Sequence, residues 1–135
     1  MLFRSLFMGG VGTAADFRRL VAEENVNANG GPAPDFNIDY SDSGYDASDH
    51  MSFTKKKVPA MFFFTGLHDD YHGAGDHADK LAYDRMTQLT RLAYRVVGRL
   101  ADGAERPRFV HQVAWLGAAL DVEGGRVHEI GRAHV

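Results

Sequence analysis

The chain has 135 residues, 44% of them hydrophobic and 24% charged, which is the composition of a folded domain with one hydrophobic core. Its net charge of −3 gives no sign of the basic surface of nucleic-acid-binding proteins, so no nucleic-acid partner is expected. The absence of cysteine excludes disulfides, thiolate metal sites and cysteine nucleophiles. No apolar run approaches the ~18 residues that a membrane-spanning helix needs.

The pattern of apolar and polar residues in the first 40 positions predicts two strands with a helix between them. An apolar stretch at residues 2–8 ends at Gly9 and Gly10 and predicts a strand. Thr13 is the predicted N-cap of a helix whose apolar residues share one face: Ala14, Phe17, Leu20 and Val21. Residues 25–34 are rich in Asn, Gly and Pro and predict a loop. The alternation of apolar and polar residues over 36–40 then predicts a half-buried strand.

The middle of the chain predicts a short helix and a fully buried strand. Ser48 or Asp49 is placed to cap a helix over residues 50–55. Residues 60–65 form an apolar run that is too short for a helix and is bounded by a proline and a glycine. Such a run predicts a strand buried on both faces. Polar residues follow it directly, which is how open α/β sheets build sites at the ends of strands.

The last part of the chain predicts the longest helix, from about residue 79 to residue 102, with Gly103 ending it. A strand at 109–116 and a turn at 121–125 are expected to follow.

A cluster of polar side chains lies between the apolar run and this helix. His68 and His72 are four residues apart, and Asp76 is four residues beyond His72, where its carboxylate can orient that imidazole. Neutral imidazole and carboxylate are both good ligands for zinc. The spacing alone is a weak signal, because histidine pairs in loops are also common surface features. Asp49 and His50 form a further Asp-His pair on a different segment.

Five motifs follow one another within the first hundred residues. They are GGVGT at 9–13, YDASDHMSF at 45–53, VPAMFFFTGLH at 58–68, YHGAGD at 71–76 and the long helix. Their order and spacing resemble the C-terminal half of the M28 zinc aminopeptidases. The resemblance implies an α/β fold, as a fragment of a three-layer α/β/α sandwich with a mixed β-sheet.

The resemblance also implies roles for individual residues. His72 matches the last ligand of a two-zinc centre, and Tyr45 matches a tyrosine that helps to polarise the scissile carbonyl. Asp49 and His50 lie in the motif that borders the pocket, which implies contact with the substrate or support of the metal ligands. Asp76 matches the family aspartate after the ligand histidine. The sequence departs from the family between His72 and Asp76, where a proline that would stiffen the loop is absent.

The implied activity is hydrolysis of peptides that have a free N-terminus, by a water that two zinc ions activate and a glutamate deprotonates. In the family the remaining ligands precede the GGVGT motif, in a His-x-Asp motif, a Glu-Glu pair and an Asp. None of these precedes Gly9 here. Glu23 and Glu24 follow it on an amphipathic helix and are interpreted as a solvated face. With one matching ligand, the chain alone is predicted to be inactive.

The domain organisation follows from the same resemblance. Residues 1–105 are assigned to the C-terminal half of an M28 peptidase domain. Residues 106–128 resemble a linker and the opening of a PDZ domain, with Leu116 in its carboxylate-binding loop; a plain strand and turn on the peptidase is the alternative. Residues 129–135 match a translated sequencing adapter and are interpreted as an artificial tail; a genuine polar tail is the alternative. A secreted, periplasmic or membrane-associated parent protein is suggested.

Two other hypotheses fit the same motifs. A glutaminyl-cyclase-like relative would keep the fold and use one zinc ion to cyclise N-terminal glutamine. A non-enzymatic M28 relative would use the domain to bind partners. Sequence upstream of the first motif, and assays with Gln-peptides and Leu-anilides, distinguish these hypotheses from an aminopeptidase.

Overall fold

The computed structural model describes residues 5–27, 31, 33–113, 118–121 and 126–128, with side chains described up to residue 110. The α-helices in these ranges are α1 (Phe17–Glu24), α2 (His50–Lys55) and α3 (Tyr83–Ala101). The strands are β1 (Ser5–Gly9), β2 (Asn37–Tyr40), β3 (Phe62–Phe64), β4 (His111–Val113), β5 (Ala118–Asp121) and β6 (Arg126–His128). Among these helices, none is both long and apolar enough to cross a membrane.

The strand β1 is the centre of a mixed sheet with the order β2-β1-β3. It pairs in parallel with β2, where Leu6 lies opposite Ile38, and antiparallel with β3, where Met8 lies opposite Phe63. The two parallel strands are connected through α1, as parallel pairing requires. The predicted α/β class with a mixed sheet is confirmed.

The two faces of the sheet contact different elements, because side chains alternate along each strand. Leu6 and Met8 point to the face that packs against α1 and α3, and Phe63 contacts the same core. The buried apolar residues of this core are Leu6, Met8, Val11, Ala14, Phe17, Leu20, Val21, Phe36, Leu92 and Val96. Phe62 and Phe64 belong to the opposite face, where they contact α2 and the loop after β3.

Two elements of the structure differ in length or burial from what the sequence predicts. The strand expected over 60–65 is only Phe62–Phe64, and its residues are partly rather than fully buried. The reason is that β3 is an edge strand of the described sheet, so one side of it has no neighbour there. The long helix begins at Tyr83 rather than near residue 79, because Ala78–Lys80 form a separate 3-10 turn and Leu81 is extended.

Thr13 does not cap α1, so that prediction was wrong. The helix begins at Phe17. Thr13 is 2% exposed, and its hydroxyl donates to the carbonyl of Gly10 (2.7 Å) and accepts from the N–H of Ala60 (3.0 Å). The buried hydroxyl therefore links the end of β1 to the segment that leads into β3.

The substitution Thr13→Val tests this link, because valine keeps the branched shape but removes the hydroxyl. The N–H of Ala60 loses its acceptor, so the free energy of unfolding is expected to fall by about 1–3 kcal/mol in urea denaturation. The control is Thr87→Val, where the hydroxyl donates to a carbonyl on the exposed side of α3. The control is expected to change stability by less than about 0.5 kcal/mol. Equal losses in the two variants would contradict the role of Thr13.

The strands β4, β5 and β6 form a second, antiparallel sheet. The N–H of Val110, just before β4, donates to the carbonyl of Thr13 at 3.0 Å. Of the strand expected over 109–116, the structure describes His111–Val113. Three other predicted features lie outside the described residues: Leu116, residues 122–125 and the tail at 129–135. The assignment of this region to a PDZ domain stays a prediction.

Candidate functional site

The segment after β2 is fastened to the end of β1 by backbone hydrogen bonds. The N–H of Ser41 donates to the carbonyl of Met8, and the N–H of Gly10 donates to the carbonyl of Ser43. These bonds hold Tyr45 beyond the carboxyl ends of two parallel strands. Tyr45 is 48% exposed, so about half of its surface is open to solvent at this end of the sheet.

Asp49 and His50 form the start of α2 but face different environments. Asp49 is the N-cap residue, is exposed, and makes no side-chain hydrogen bond to the helix. His50 is the first helical residue and is only 6% exposed. The carboxylate of Asp49 is therefore accessible to a solute, whereas the imidazole of His50 faces the interior.

A row of aromatic rings connects α2 to the loop after β3 across one face of the sheet. The imidazole of His50 stacks on Phe62, with 4.8 Å between ring centroids and 6° between ring planes. Phe62 stacks on Phe64 at 5.7 Å, and Tyr71 meets Phe64 edge to face at 6.0 Å. The ring of His72 lies 4.2 Å from that of Tyr71. Two of the predicted site residues, from separate segments, thus lie at the ends of one continuous row.

His72 has an unusual backbone conformation. Its φ of 57° lies in the left-handed region, which residues other than glycine seldom adopt. The flanking turns close through hydrogen bonds from the N–H of Tyr71 to His68 and from the N–H of Gly73 to Asp70. The side chain of His72 is exposed. A strained residue that presents a polar side chain to solvent is a reason to consider a functional role.

Asp76 lies in the same loop, where it contacts a different histidine from the one expected. Its Oδ2 is 4.0 Å from Nε2 of His68. The chain turns back at Gly73, whose carbonyl accepts from the N–H of Asp76. The expected role of Asp76 in orienting His72 stays a prediction.

The loop is fastened to the residues before α3 by one short ion pair. Nζ of Lys80 lies 2.6 Å from Oδ2 of Asp70, two residues before His72. The hydroxyl of Tyr83, the first residue of α3, donates to the carbonyl of Ala78. These contacts limit the movement of the loop that carries His72.

The described residues do not form a complete metal site. No group of three or more His, Asp or Glu side chains in the described ranges is arranged to hold a metal ion. A zinc site takes three or four protein ligands. The expected role of His72 as one such ligand stays a prediction, because the described residues place no second and third ligand beside it.

Glu23 and Glu24 pair with arginines and hold two helices together. Arg99 of α3 contacts both carboxylates, and Arg95 donates two hydrogen bonds to the carbonyl of Glu24. Hydrogen bonds from Arg19 and then Arg99 lower the pKa of Glu23. The side chain of Glu24 is only 14% exposed, so the interpretation of the pair as a solvated face was incomplete. Its role in the structure is to join α1 and α3.

The strand β2 ends in a tyrosine whose ionisation is disfavoured. Burial raises the pKa of Tyr40, and the nearby charge of Arg18 offsets part of this effect. The guanidinium of Arg18 lies 4.9 Å from the centre of the Tyr40 ring and pairs with Asp42 at 3.0 Å. These contacts fix the start of the segment that leads to Tyr45.

A cavity of about 500 Å³ lies between the loop after β3 and α3. The residues that line it include the apolar Leu67, Leu81 and Met86 and the acidic Asp69 and Asp76. The residues that line it do not include Tyr45, Asp49, His50 or His72. It adjoins the loop that carries the predicted ligand, but not the segment after β2.

Sequence analysis missed Asp46. Its Oδ2 lies 3.8 Å from Nε2 of His50 and is buried. The signal that was available is the spacing of four residues between an Asp and a His at the start of a helix.

Comparison with known proteins gives two positive results. The family model described as Peptidase family M28 matches residues 6–97. The crystal structure of the LapA aminopeptidase of Legionella pneumophila is similar, with a TM-score of 0.57 and 26% sequence identity. The match covers 76% of this chain and 27% of that chain, so the chain spans about a quarter of the length of that aminopeptidase. No curated protein sequence matches significantly.

Proposed function

The chain belongs to peptidase family M28, and from this premise we propose that it forms part of a zinc-dependent aminopeptidase. The substrate in this proposal is a peptide with a free N-terminus. Similarity to an aminopeptidase of known structure supports the choice of reaction.

The observation that carries the proposal is the geometry of His72 within the matched region. Its imidazole is exposed on a turn with φ of 57°, and a row of rings links it to the helix that begins at His50. Residues held in this backbone region are found more often than others at active sites and ligand-binding loops, which supports a ligand role for His72. A ligand histidine gains from such a backbone, because the loop then holds the ring in one direction.

Each of the other predicted residues has a chemical role in the proposal. The phenol of Tyr45 donates a hydrogen bond to the scissile carbonyl, where negative charge develops. The exposed carboxylate of Asp49 complements the positive charge of the substrate amine. His50 supports α2 from inside, and Asp76 steadies the loop that carries His72. Zinc, when bound, would supply a Lewis acid and an activated water.

The isolated chain, supplied with Zn²⁺, is expected to hydrolyse leucine p-nitroanilide no faster than buffer does. The reason is that the described residues do not include a group of three or more metal-binding side chains. Turnover and zinc content are measured on the purified chain, with His72→Ala as the matched control for any zinc that binds. Steady turnover by the chain alone would contradict this prediction.

The test of the reaction itself uses the protein encoded by the complete reading frame that contains this chain. It is expected to release leucine from the anilide, to lose activity on treatment with a chelator and to regain it with Zn²⁺. Cyclisation of a Gln-peptide without hydrolysis of the anilide would overturn the aminopeptidase and favour the glutaminyl-cyclase-like alternative. A folded protein without either activity would favour the non-enzymatic alternative.

A further inference from the structure

Three polar atoms are buried close together without a hydrogen-bond partner among the described residues: Oδ2 of Asp46 and both ring nitrogens of His50. The side chain of His50 is 4% exposed and that of Asp46 is 36% exposed, so the carboxylate turns its Oδ2 inward while the rest of it reaches solvent. Nε2 of His50 is 3.8 Å from this Oδ2. Buried polar groups in native proteins are nearly always hydrogen-bonded, so this cluster needs an explanation.

The surroundings of the cluster bring the two groups together. A methyl group on Gly9 would lie 2.9 Å from Oδ2 of Asp46, so the carboxylate occupies space that only a glycine leaves free. Phe62 covers one face of the imidazole. A charge-assisted N–H···O bond is about 2.7–2.9 Å long, so a movement of about 1 Å would complete one between Nε2 and Oδ2.

The position of the cluster in the chain indicates what this bond would do. Asp46 directly follows Tyr45, and His50 directly follows Asp49. A bond between the side chains of Asp46 and His50 would close the turn that separates Tyr45 from Asp49. The direction of both exposed side chains would then depend on one buried contact.

We propose that Asp46 and His50 form a buried carboxylate–imidazole hydrogen bond, and that Asp46 is a positioning residue that fixes Tyr45 and Asp49 relative to each other. The catalytic effect of this bond rests on the proposed function, whereas the bond itself does not. The alternative is that His50 acts only as a flat ring that stacks on Phe62.

The bond is tested by NMR on the 135-residue chain labelled with ¹⁵N-histidine, in which the ring signal of His50 is assigned by its loss in His50→Gln. The ring is expected to carry a proton on Nε2 that exchanges slowly with solvent. Asp46→Ala is expected to abolish this signal and to shift the backbone amides of Tyr45 and Asp49. Asp39→Ala, which removes an exposed carboxylate on β2, is expected to leave all of them unchanged. A proton on Nδ1 alone, or no response to Asp46→Ala, would overturn the proposal.

The positioning effect is tested by kinetics on the complete protein. Asp46→Ala is expected to lower kcat/KM by about 10–100-fold, mainly through kcat, because displaced catalytic groups lose rate rather than binding. His50→Gln keeps an N–H near the place of Nε2 and is expected to retain more activity than His50→Phe, which keeps only a ring. Full activity of His50→Phe would show that stacking is sufficient and would overturn the positioning role. If the unaltered complete protein has no peptidase activity, but NMR still shows the Nε2 proton and its response to Asp46→Ala, the proposed function is rejected and the hydrogen bond is not.

Discussion

Replacing His72 with glycine is expected to reduce peptidase activity and to increase stability at the same time. The complete protein loses a proposed zinc ligand, so kcat/KM is expected to fall by at least about 100-fold, since even residues that support a ligand are worth 10–100-fold. The backbone at φ of 57° suits glycine, so the free energy of unfolding is expected to rise by up to about 1 kcal/mol. Initial rates with leucine p-nitroanilide and urea denaturation measure the two effects.

The control for this substitution is His77→Ala in the same loop. His77 is also exposed, but its backbone is extended, with φ of −106°, so it carries no strain of this kind. The control is expected to change neither activity nor stability. If His72→Gly kept its activity while gaining stability, the left-handed turn would be a feature of the loop alone, and the ligand role would be rejected.

The sheet was predictable because its signals are local. The alternation over residues 36–40 and the apolar runs before Gly9 and after Pro59 each specify a strand without reference to the rest of the chain. The burial of β3 was not predictable, since an apolar run indicates only that a strand can be covered. Whether both sides of β3 have neighbours depends on the order β2-β1-β3, which is a property of the whole sheet.

Candidate site residues could be named where a motif carried them, but their contacts could not. Tyr45 and His72 were named from the order of motifs and stay predictions, whereas the row of rings between His50 and His72 depends on which face of β3 each phenylalanine uses. Thr13 illustrates the same limit. Its sequence context is that of a helix cap, but its hydroxyl hydrogen-bonds to the backbone of Ala60, which is 47 residues away.

Substitution by alanine is expected to lower the free energy of unfolding at Gly10 and to raise it at Gly98. This pair of variants is the sharpest test of the fold. Gly10 has φ of 77°, and a methyl group on it would overlap the carbonyl oxygen of Ala60. Gly10→Ala is therefore expected to lower the free energy of unfolding by about 2–5 kcal/mol, from left-handed strain and from displacement of a rigid backbone atom. Ala60 also bonds to Thr13, so the displacement would disturb the link between β1 and β3.

Gly98→Ala is the matched control for Gly10→Ala and carries a prediction of its own. Gly98 lies within α3, and a methyl group there would meet nothing within 4 Å. Alanine is the better helix former, so the free energy of unfolding is expected to rise by about 0.5–1 kcal/mol. Urea denaturation of the two variants beside the unaltered chain gives both signs in one experiment. A stable Gly10→Ala variant would mean that the turn after β1 does not approach Ala60, and the arrangement of β1, β3 and the segment carrying Tyr45 would then be wrong.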